Sequence, residues 1–179
     1  LAEGAMRLAR KYELPDVAMH VKGLEIPAYD PRGAFGMALS YGTSYRGACH
    51  LRSWTISFEV IGVPYLLDRF SIVEKPALVA YQQNLAMIYN SLVMCLHYAT
   101  EFDEEHLSYL ISAVTGIEYK KADLINIGEK IWNLARLINV KRGFSKNDDK
   151  LPERLLNPLR DGPSRGRFIP YKILLDEYY

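Results

Sequence analysis

The chain has 179 residues, of which 49% are hydrophobic and 24% charged, which is enough apolar material for a packed core in a globular protein. Its net charge of +1 gives no field that would attract nucleic acid or an anionic membrane surface, so neither partner is expected. Two cysteines, Cys49 and Cys95, cannot form a disulfide framework, and this is typical of a protein from the reducing cytoplasm.

The first part of the chain is predicted to hold two helices. The first covers residues 2–14, is basic and amphipathic, and is ended by Pro15. Residues 20–29 are predicted to be extended. The second helix covers residues 30–43 and starts at Asp30, a capping residue followed by proline. Three glycines each weaken this helix by about 1 kcal/mol relative to alanine, so each needs another reason, such as close approach of a neighbouring backbone or a ligand: Gly33, Gly36 and Gly42.

A long helix is predicted to open at Pro76, after a loop over residues 44–62 and a short helix over residues 64–70. Its apolar positions step by three and four and form a single stripe: Leu78, Tyr81, Leu85, Ile88, Leu92 and Cys95. Residues 76–100 contain no Asp, Glu, Lys or Arg, and their length would span a bilayer. The amides within this stretch favour a buried helix of a large soluble protein.

Two more helices are predicted downstream of this stretch. Asp103 is predicted to cap the first, and Gly116 to end it. The second carries a three-four apolar stripe over residues 124–138 and is closed by Gly143.

The C-terminal part is predicted to be mostly loop. Residues 145–167 carry three prolines and many charges and are predicted to form a surface loop with one short helix, in which Asp148 and Asp149 are solvated. Residues 171–179 return to a helical stripe. No run of residues alternates convincingly with a period of two, so the predicted fold class is all-α and multihelical.

Two places in the sequence carry candidate chemistry. On its pattern alone, Cys95 is the last member of the helix stripe, and a lone buried cysteine usually behaves as a small hydrophobe. Residues 46–52 read Arg-Gly-Ala-Cys-His-Leu-Arg and place His50 between two arginines in a predicted loop. That composition suits an anionic ligand and a proton-transfer group, and the alternative is a surface loop with scattered charge.

Three segments resemble the aldehyde ferredoxin oxidoreductase family. The first runs over residues 20–33, HVKGLEIPAYDPRG, and continues through residues 36–39 to the loop at residues 46–52. The second contains GEKIWNL at residues 128–134, and the third contains DD-x-LPER at residues 148–154. Their order and spacing agree with the family across nearly the whole chain.

The resemblance implies an enzyme that oxidises aldehydes to carboxylic acids and passes the electrons to ferredoxin. It implies tungsten, or molybdenum in its place, held by two pterin dithiolenes near a [4Fe-4S] cluster. The chain begins without an initiator Met, and we interpret it as a piece of a longer polypeptide whose other parts are an N-terminal β domain and a middle helical domain. Residues 1–15 would end the middle domain, and residues 16–179 would form the C-terminal helical domain. A homo-oligomer is compatible with the sequence, which does not fix the oligomeric state.

The resemblance places a pterin-binding motif at residues 90–95. The family motif Asp-x-x-Gly-Leu-Cys is matched here by Asn-Ser-Leu-Val-Met-Cys, so Cys95 is expected to ligate the cluster. The expected pterin contacts are Asn90, Leu92, Val93 and Met94. Asn90 stands where the family has Asp and lacks the charge that strengthens a hydrogen bond. Val93 stands where the family has Gly and adds bulk where a backbone would approach the cofactor.

The resemblance also gives a role to the loop at residues 46–52. The match to Cys-His-Leu-Arg places the family's metal-proximal histidine at His50, which is expected to transfer protons released by the oxidation. Arg52 is expected to contact the pterin or its phosphate. The three other cluster cysteines are expected upstream, so the chain is not expected to be active alone. A rival hypothesis is a non-catalytic helical interaction subunit or relic derived from this family, which the changes at Asn90 and Val93 favour.

Overall fold

The computed structural model describes residues 3–100 and 102–179, and within them the fold is helical as predicted. The α-helices are α1 (Ala5–Lys11), α2 (Phe35–Thr43), α3 (Lys75–Ser91), α4 (Glu104–Thr115), α5 (Lys121–Lys141), α6 (Glu153–Leu156) and α7 (Tyr171–Tyr178). Short 3₁₀ turns cover Pro15–Val17, Pro31–Gly33, His50–Arg52, Leu96–Thr100 and Lys146–Asp148, and a π-helical turn covers Ser57–Ile61. Two strands, β1 (His20–Val21) and β2 (Leu24–Glu25), pair antiparallel.

The extended segment at residues 20–29 contains a β-hairpin that the sequence pattern did not reveal. Its two-residue turn consists of Lys22 and Gly23, whose φ angles are 50° and 85°. Positive φ at both central residues is the requirement of the turn type that matches strand twist. Each strand has only two residues, so no alternation could be read from the sequence.

Helix α3 lies at the centre of the fold and packs against α5, α2 and α7. Helix α2 is buried along its whole length. A Cβ atom added at Gly36 would lie 2.7 Å from the Glu59 carboxylate, and one at Gly42 would collide with the Tyr171 hydroxyl. Both glycines therefore allow a close approach, but side chains make it and not the backbone or ligand that the sequence analysis suggested.

The predicted start and end of α4 are confirmed, and both depend on residues that lie close together in the chain. The Asp103 carboxylate accepts a hydrogen bond from the backbone N–H of His106 at 2.9 Å and caps α4. Gly116 ends that helix with a φ of 71°. No helix in the described residues is both long enough and apolar enough to cross a membrane.

The predicted short helix over residues 64–70 is wrong. The backbone groups of this segment bond to distant elements instead of to each other. The Leu67 N–H donates to the Phe58 carbonyl at 2.8 Å, and the Arg69 carbonyl accepts from the Phe35 N–H at 2.9 Å. The first predicted helix is also shorter than expected, because α1 ends at Lys11.

The predicted solvation of Asp149 is wrong, because this residue is only 1% exposed. Lys22 Nζ lies 2.6 Å from one of its carboxylate oxygens. Arg136 donates two hydrogen bonds to the carboxylate at 2.9 and 2.6 Å, and the Tyr179 hydroxyl contacts both Arg136 and Asp149. Lys22, Arg136, Asp149 and Tyr179 are called the anchor network below. Its members lie far apart in sequence, so no local pattern could reveal it.

Candidate functional site

Helix α3 ends in a turn that includes part of the predicted pterin motif. The Met94 N–H donates to the Tyr89 carbonyl at 2.9 Å, and the Val93 N–H donates to the Asn90 carbonyl at 3.2 Å. These two bonds form a Schellman motif, which places the residue after the cap in the left-handed region. Val93 occupies that position with a φ of 57° and is 92% exposed. The glycine of the family motif therefore has a conformational reason that the sequence argument missed.

Cys95 lies beyond the end of α3 and is not the last member of its buried stripe, so that prediction is wrong. The Schellman turn ends the helical spacing after residue 91, and the Cys95 side chain is exposed with a free thiol. An exposed thiol is accessible to a ligand, whereas a buried structural one is not. Its role as a cluster ligand stays a prediction. No three His, Cys, Asp or Glu side chains of the described residues are grouped so that they could hold a metal ion.

The two sequence-predicted segments, residues 46–52 and 90–95, meet in space. Arg52 Nη1 donates a hydrogen bond to Asn90 Oδ1 at 2.9 Å, and the Asn90 amide donates in turn to the Ala86 carbonyl of its own helix. The Arg52 guanidinium also lies over the Tyr45 ring, 5.7 Å from its centroid. An Asp at position 90 would convert the contact with Arg52 into a charged pair.

His50 is held in an aromatic triad that consists of His50, Tyr29 and Trp54. The His50 ring centroid lies 5.3 Å from that of Tyr29 and 5.6 Å from that of Trp54. Burial lowers the pKa of His50 below its usual value, and the charge of His97 lowers it further. The imidazole is therefore neutral near pH 7 and able to accept a proton.

Unpaired polar atoms concentrate in one segment of the chain. Within the described residues, the buried side-chain polar atoms without a hydrogen-bond partner all belong to residues 44–53: Ser44 Oγ, His50 Nδ1, Arg52 Nε and Ser53 Oγ. Buried polar groups in proteins are usually paired, so such a concentration needs an explanation. The Arg52 Nε–H donates only and the serine hydroxyls donate or accept. Among these atoms the Arg52 Nε–H can only donate, so an acceptor oxygen would satisfy it.

The aromatic triad lines a cavity of about 740 Å³. Its other walls come from α3, from residues 57–67 and from the segment that precedes α4: Leu78, Tyr81, Leu85, Phe58, Tyr65 and Phe102. Arg52, Asn90 and Cys95 are not among the lining residues. The sequence analysis placed Leu78, Tyr81 and Leu85 on the stripe of α3, but it missed the walls that come from residues 57–67 and from Phe102.

Comparison with known proteins shows the family to which the whole chain is similar. Residues 1–179 match the family described as aldehyde ferredoxin oxidoreductase, domains 2 & 3. The chain belongs to the aldehyde ferredoxin oxidoreductase family. It is 40% identical to the tungsten-containing aldehyde ferredoxin oxidoreductase of Pyrococcus furiosus, and 38% identical to those of Thermococcus kodakarensis and Pyrococcus abyssi. Each alignment covers all of this chain and 30% of the relative.

The family membership confirms the resemblance inferred from the sequence, while the site roles stay predictions. In this chain Arg52 and Asn90 are in contact, and His50 lines the cavity. Leu92 and Val93 are exposed, whereas Met94 packs partly against the core cluster that contains Tyr89. Apolar packing of the residue at this position often accompanies a Schellman turn, so Met94 has a structural role.

Proposed function

We propose that this chain is the C-terminal part of a tungstopterin oxidoreductase that oxidises aldehydes to carboxylic acids and passes the electrons to ferredoxin. The observation that carries the proposal is the contact between Arg52 and Asn90, which joins the two predicted cofactor segments. Residues 1–15 are assigned to the end of the preceding helical domain, and residues 16–179 to the C-terminal one. The rest of the same polypeptide supplies the remaining ligands and walls, since the chain spans 30% of the length of its relatives.

The reaction consumes one water molecule and releases two protons and two electrons. The aldehyde carbon is oxidised and gains the oxygen of water, and each of two ferredoxin molecules accepts one electron. When bound, tungsten, or molybdenum in its place, would supply two-electron redox chemistry, and the [4Fe-4S] cluster would supply one-electron transfer. This chain contributes His50, which we propose as the group that accepts the released protons. His50 borders the cavity, and burial lowers its pKa, so its imidazole is neutral near pH 7 and can accept a proton.

Three side chains of this chain would hold the cofactors. Arg52 keeps an unpaired Nε–H that suits a phosphate oxygen. Asn90 offers an amide to the pterin, although part of that amide is engaged with Arg52 and Ala86. Cys95 offers an exposed thiol as one ligand of the [4Fe-4S] cluster, and the other three cysteines belong to the upstream polypeptide.

Metal analysis of the complete polypeptide, purified without oxygen, tests the proposal. We expect about one tungsten or molybdenum and about four iron atoms per polypeptide, together with aldehyde-dependent reduction of ferredoxin. Absence of both metals would contradict the proposal and favour the non-catalytic helical subunit.

The two cysteines of the chain give a matched pair of variants for the cluster. Cys95→Ser is expected to remove the visible iron–sulfur absorbance, since its thiolate is a ligand. Cys49→Ser is expected to retain it, because the Cys49 side chain is buried in the fold. The isolated chain should show no such absorbance after reconstitution. A stable cluster spectrum from the isolated chain would contradict the assignment of the other three cysteine ligands to the upstream polypeptide.

A further inference from the structure

We infer that helix α5 positions the Arg52 guanidinium for the cofactor, and that it does so through Tyr45. Tyr45, Trp132 and Asn139 are positioning residues, because they act on the cofactor through Arg52. This inference rests on the proposed function, in which the Arg52 Nε–H suits a phosphate oxygen of the pterin. It also gives a role to the GEKIWNL segment at residues 128–134, to which the proposed function assigns none.

The Arg52 guanidinium is held by two contacts within this chain. Its Nη1 donates to Asn90 Oδ1 at 2.9 Å, and its Cζ atom lies 5.7 Å from the centroid of the Tyr45 ring. A guanidinium within about 6 Å of an aromatic face is attracted by the ring. The Arg52 Nε is buried and has no partner in the described residues. Because the guanidinium is planar, the two contacts that fix its orientation also fix the direction of this Nε–H bond.

Helix α5 holds both the ring and the backbone of Tyr45. The Trp132 ring meets the Tyr45 ring edge to face, with 5.1 Å between their centroids. Trp132 is only 4% exposed and packs against Ala86 and Met87 of α3, so its own ring is held by the core. Asn139 lies two turns further along α5, and its side-chain amide donates a hydrogen bond to the Tyr45 carbonyl. These two contacts from one helix restrict the position of the Tyr45 ring.

The position of α5 is set by its contact with α3, the helix that carries Asn90. A Cβ atom added at Gly128 would lie 2.1 Å from the backbone carbonyl oxygen of Asn84, so the two backbones come this close only with glycine there. Asn90 lies six residues further along α3 and is close to its end. Arg52 is therefore held between two partners, Asn90 and Tyr45, whose separation depends on how α3 and α5 pack.

The Tyr45 ring is expected to slow the loss of the cofactor. Without it, Arg52 would keep only the contact with Asn90 and would regain rotamer freedom. A side chain that is already ordered lowers the entropic cost of binding, and differences of this kind act mainly on the rate of dissociation. The enzyme that lacks the ring should therefore release the cofactor faster.

The first test compares variants of Tyr45 in the complete polypeptide, purified without oxygen. Loss of tungsten or molybdenum is followed by mass spectrometry, and loss of pterin by the fluorescence of its oxidised form, in urea too dilute to unfold the protein. Tyr45→Leu should lose both roughly three- to tenfold faster than the unaltered enzyme. Tyr45→Phe keeps the ring and should lose them at the unaltered rate. Tyr109→Leu removes a ring on α4 that is 74% exposed, and this control should also keep the unaltered rate.

A second pair of variants tests the same route without removing the ring. Asn139→Ala deletes the hydrogen bond to the Tyr45 carbonyl, so it should also speed the loss of the cofactor, by a smaller factor. Asn126→Ala, at an exposed position of α5, is the matched control and should change nothing. This pair decides the inference where a variant of Tyr45 or Arg52 fails to load the cofactor. Equal rates for the two alanine variants would contradict it.

A double-mutant cycle separates positioning from a merely structural role. Arg52→Gln should itself speed the loss of the cofactor. In that background Tyr45→Leu should have no further effect, because the guanidinium through which Tyr45 acts is absent. If the two factors multiply instead, Tyr45 stabilises the cofactor site by another route and the inference is wrong.

The cofactor content of the unaltered polypeptide distinguishes failure of the inference from failure of the proposed function. If that polypeptide holds neither metal nor pterin, the proposed function is wrong and the inference falls with it. If it holds both, and the Tyr45 and Asn139 variants lose them at the unaltered rate, the proposed function stands and the inference alone is overturned.

Discussion

The anchor network and the segment at residues 44–53 are both polar and both largely buried. The polar groups of the anchor network bond to one another, whereas several buried polar atoms of residues 44–53, called the incomplete segment below, have no hydrogen-bond partner in the described residues. Around Asp149, two cations and a tyrosine hydroxyl converge on a single carboxylate. In residues 44–53, His50 Nδ1 and Arg52 Nε are buried without partners in the described residues. A complete polar network stabilises a fold, whereas unpaired buried atoms indicate a surface that another group satisfies.

The two regions are also connected, since the anchor network holds the start of the incomplete segment. Lys22 Nζ donates to the Ser44 carbonyl at 3.1 Å, and Arg136 Nη1 donates to the Thr43 carbonyl at 3.2 Å. The buried cations therefore fix the backbone from which the His50 loop departs. We expect substitutions in the first region to change stability, and substitutions in the second to change chemistry.

The largest expected effect is the loss of activity in His50→Phe. The phenyl ring keeps the contacts with Tyr29 and Trp54 but cannot accept a proton, so kcat/KM for an aldehyde should fall by roughly 10²–10⁴-fold. Stability should be unchanged or slightly higher, because a buried nitrogen without a partner is removed. His106→Phe, at an exposed position on α4, is the control and should keep full activity. Full activity in His50→Phe would end the proton-transfer assignment.

The second effect is a loss of stability in Asp149→Asn. This change leaves the Lys22 ammonium, whose side chain is 3% exposed, without its counter-charge. Removing one partner of a buried charged pair costs about 3–5 kcal/mol. Urea unfolding of the chain, followed by circular dichroism, measures the change. Asp176→Asn breaks exposed ion pairs only and should unfold nearly as the unaltered chain does.

The sequence predicted those parts of the fold that are encoded by neighbouring residues. The cap at Asp103 and the helix end at Gly116 each depend on residues within one turn, and both were predicted. The requirement for small residues at Gly36 and Gly42 was also predicted, though the side chains that impose it lie far along the chain. The family motifs singled out the loop at residues 46–52 and the segment at residues 90–95, and these two meet through Arg52 and Asn90.

What the sequence could not predict depends on tertiary contacts. The burial of Asp149 needs cations from β1–β2 and α5, and the charged residues around it in sequence favoured solvation instead. The position of Cys95 outside α3 was missed because a stripe of apolar spacing continues past the turn at Val93. The part of the cavity wall that comes from residues 57–67 was missed, because the Leu67 N–H bonds to the Phe58 carbonyl and no regular spacing in the sequence predicts this contact.

A smaller effect is expected at the ends of α3 and α5, which share one turn geometry. At the end of α5, the Phe144 N–H donates to the Asn139 carbonyl at 3.0 Å, and Gly143 has a φ of 92°. Val93 occupies the equivalent place after α3. Val93→Gly should therefore stabilise the chain by about 1 kcal/mol, because a left-handed conformation costs a β-branched residue roughly 1–2 kcal/mol. Gly143→Val should destabilise it by a similar amount. Equal unfolding midpoints for all three chains would show that neither turn is strained.

The smallest expected effect is a displacement of the acid limb of the pH–rate profile. Because burial lowers the pKa of His50, the imidazole stays neutral below the pH at which a free histidine, with a pKa of about 6.5, becomes protonated. Activity that needs neutral His50 should therefore persist below that pH and decline only when the lowered pKa is reached. The profile of kcat/KM for an uncharged aldehyde reports this value, since it reflects the free enzyme. A decline of kcat/KM that begins above the ordinary histidine pKa would contradict this prediction. It would mean that an anionic group from the rest of the polypeptide lies beside the His50 imidazole and stabilises its charged form.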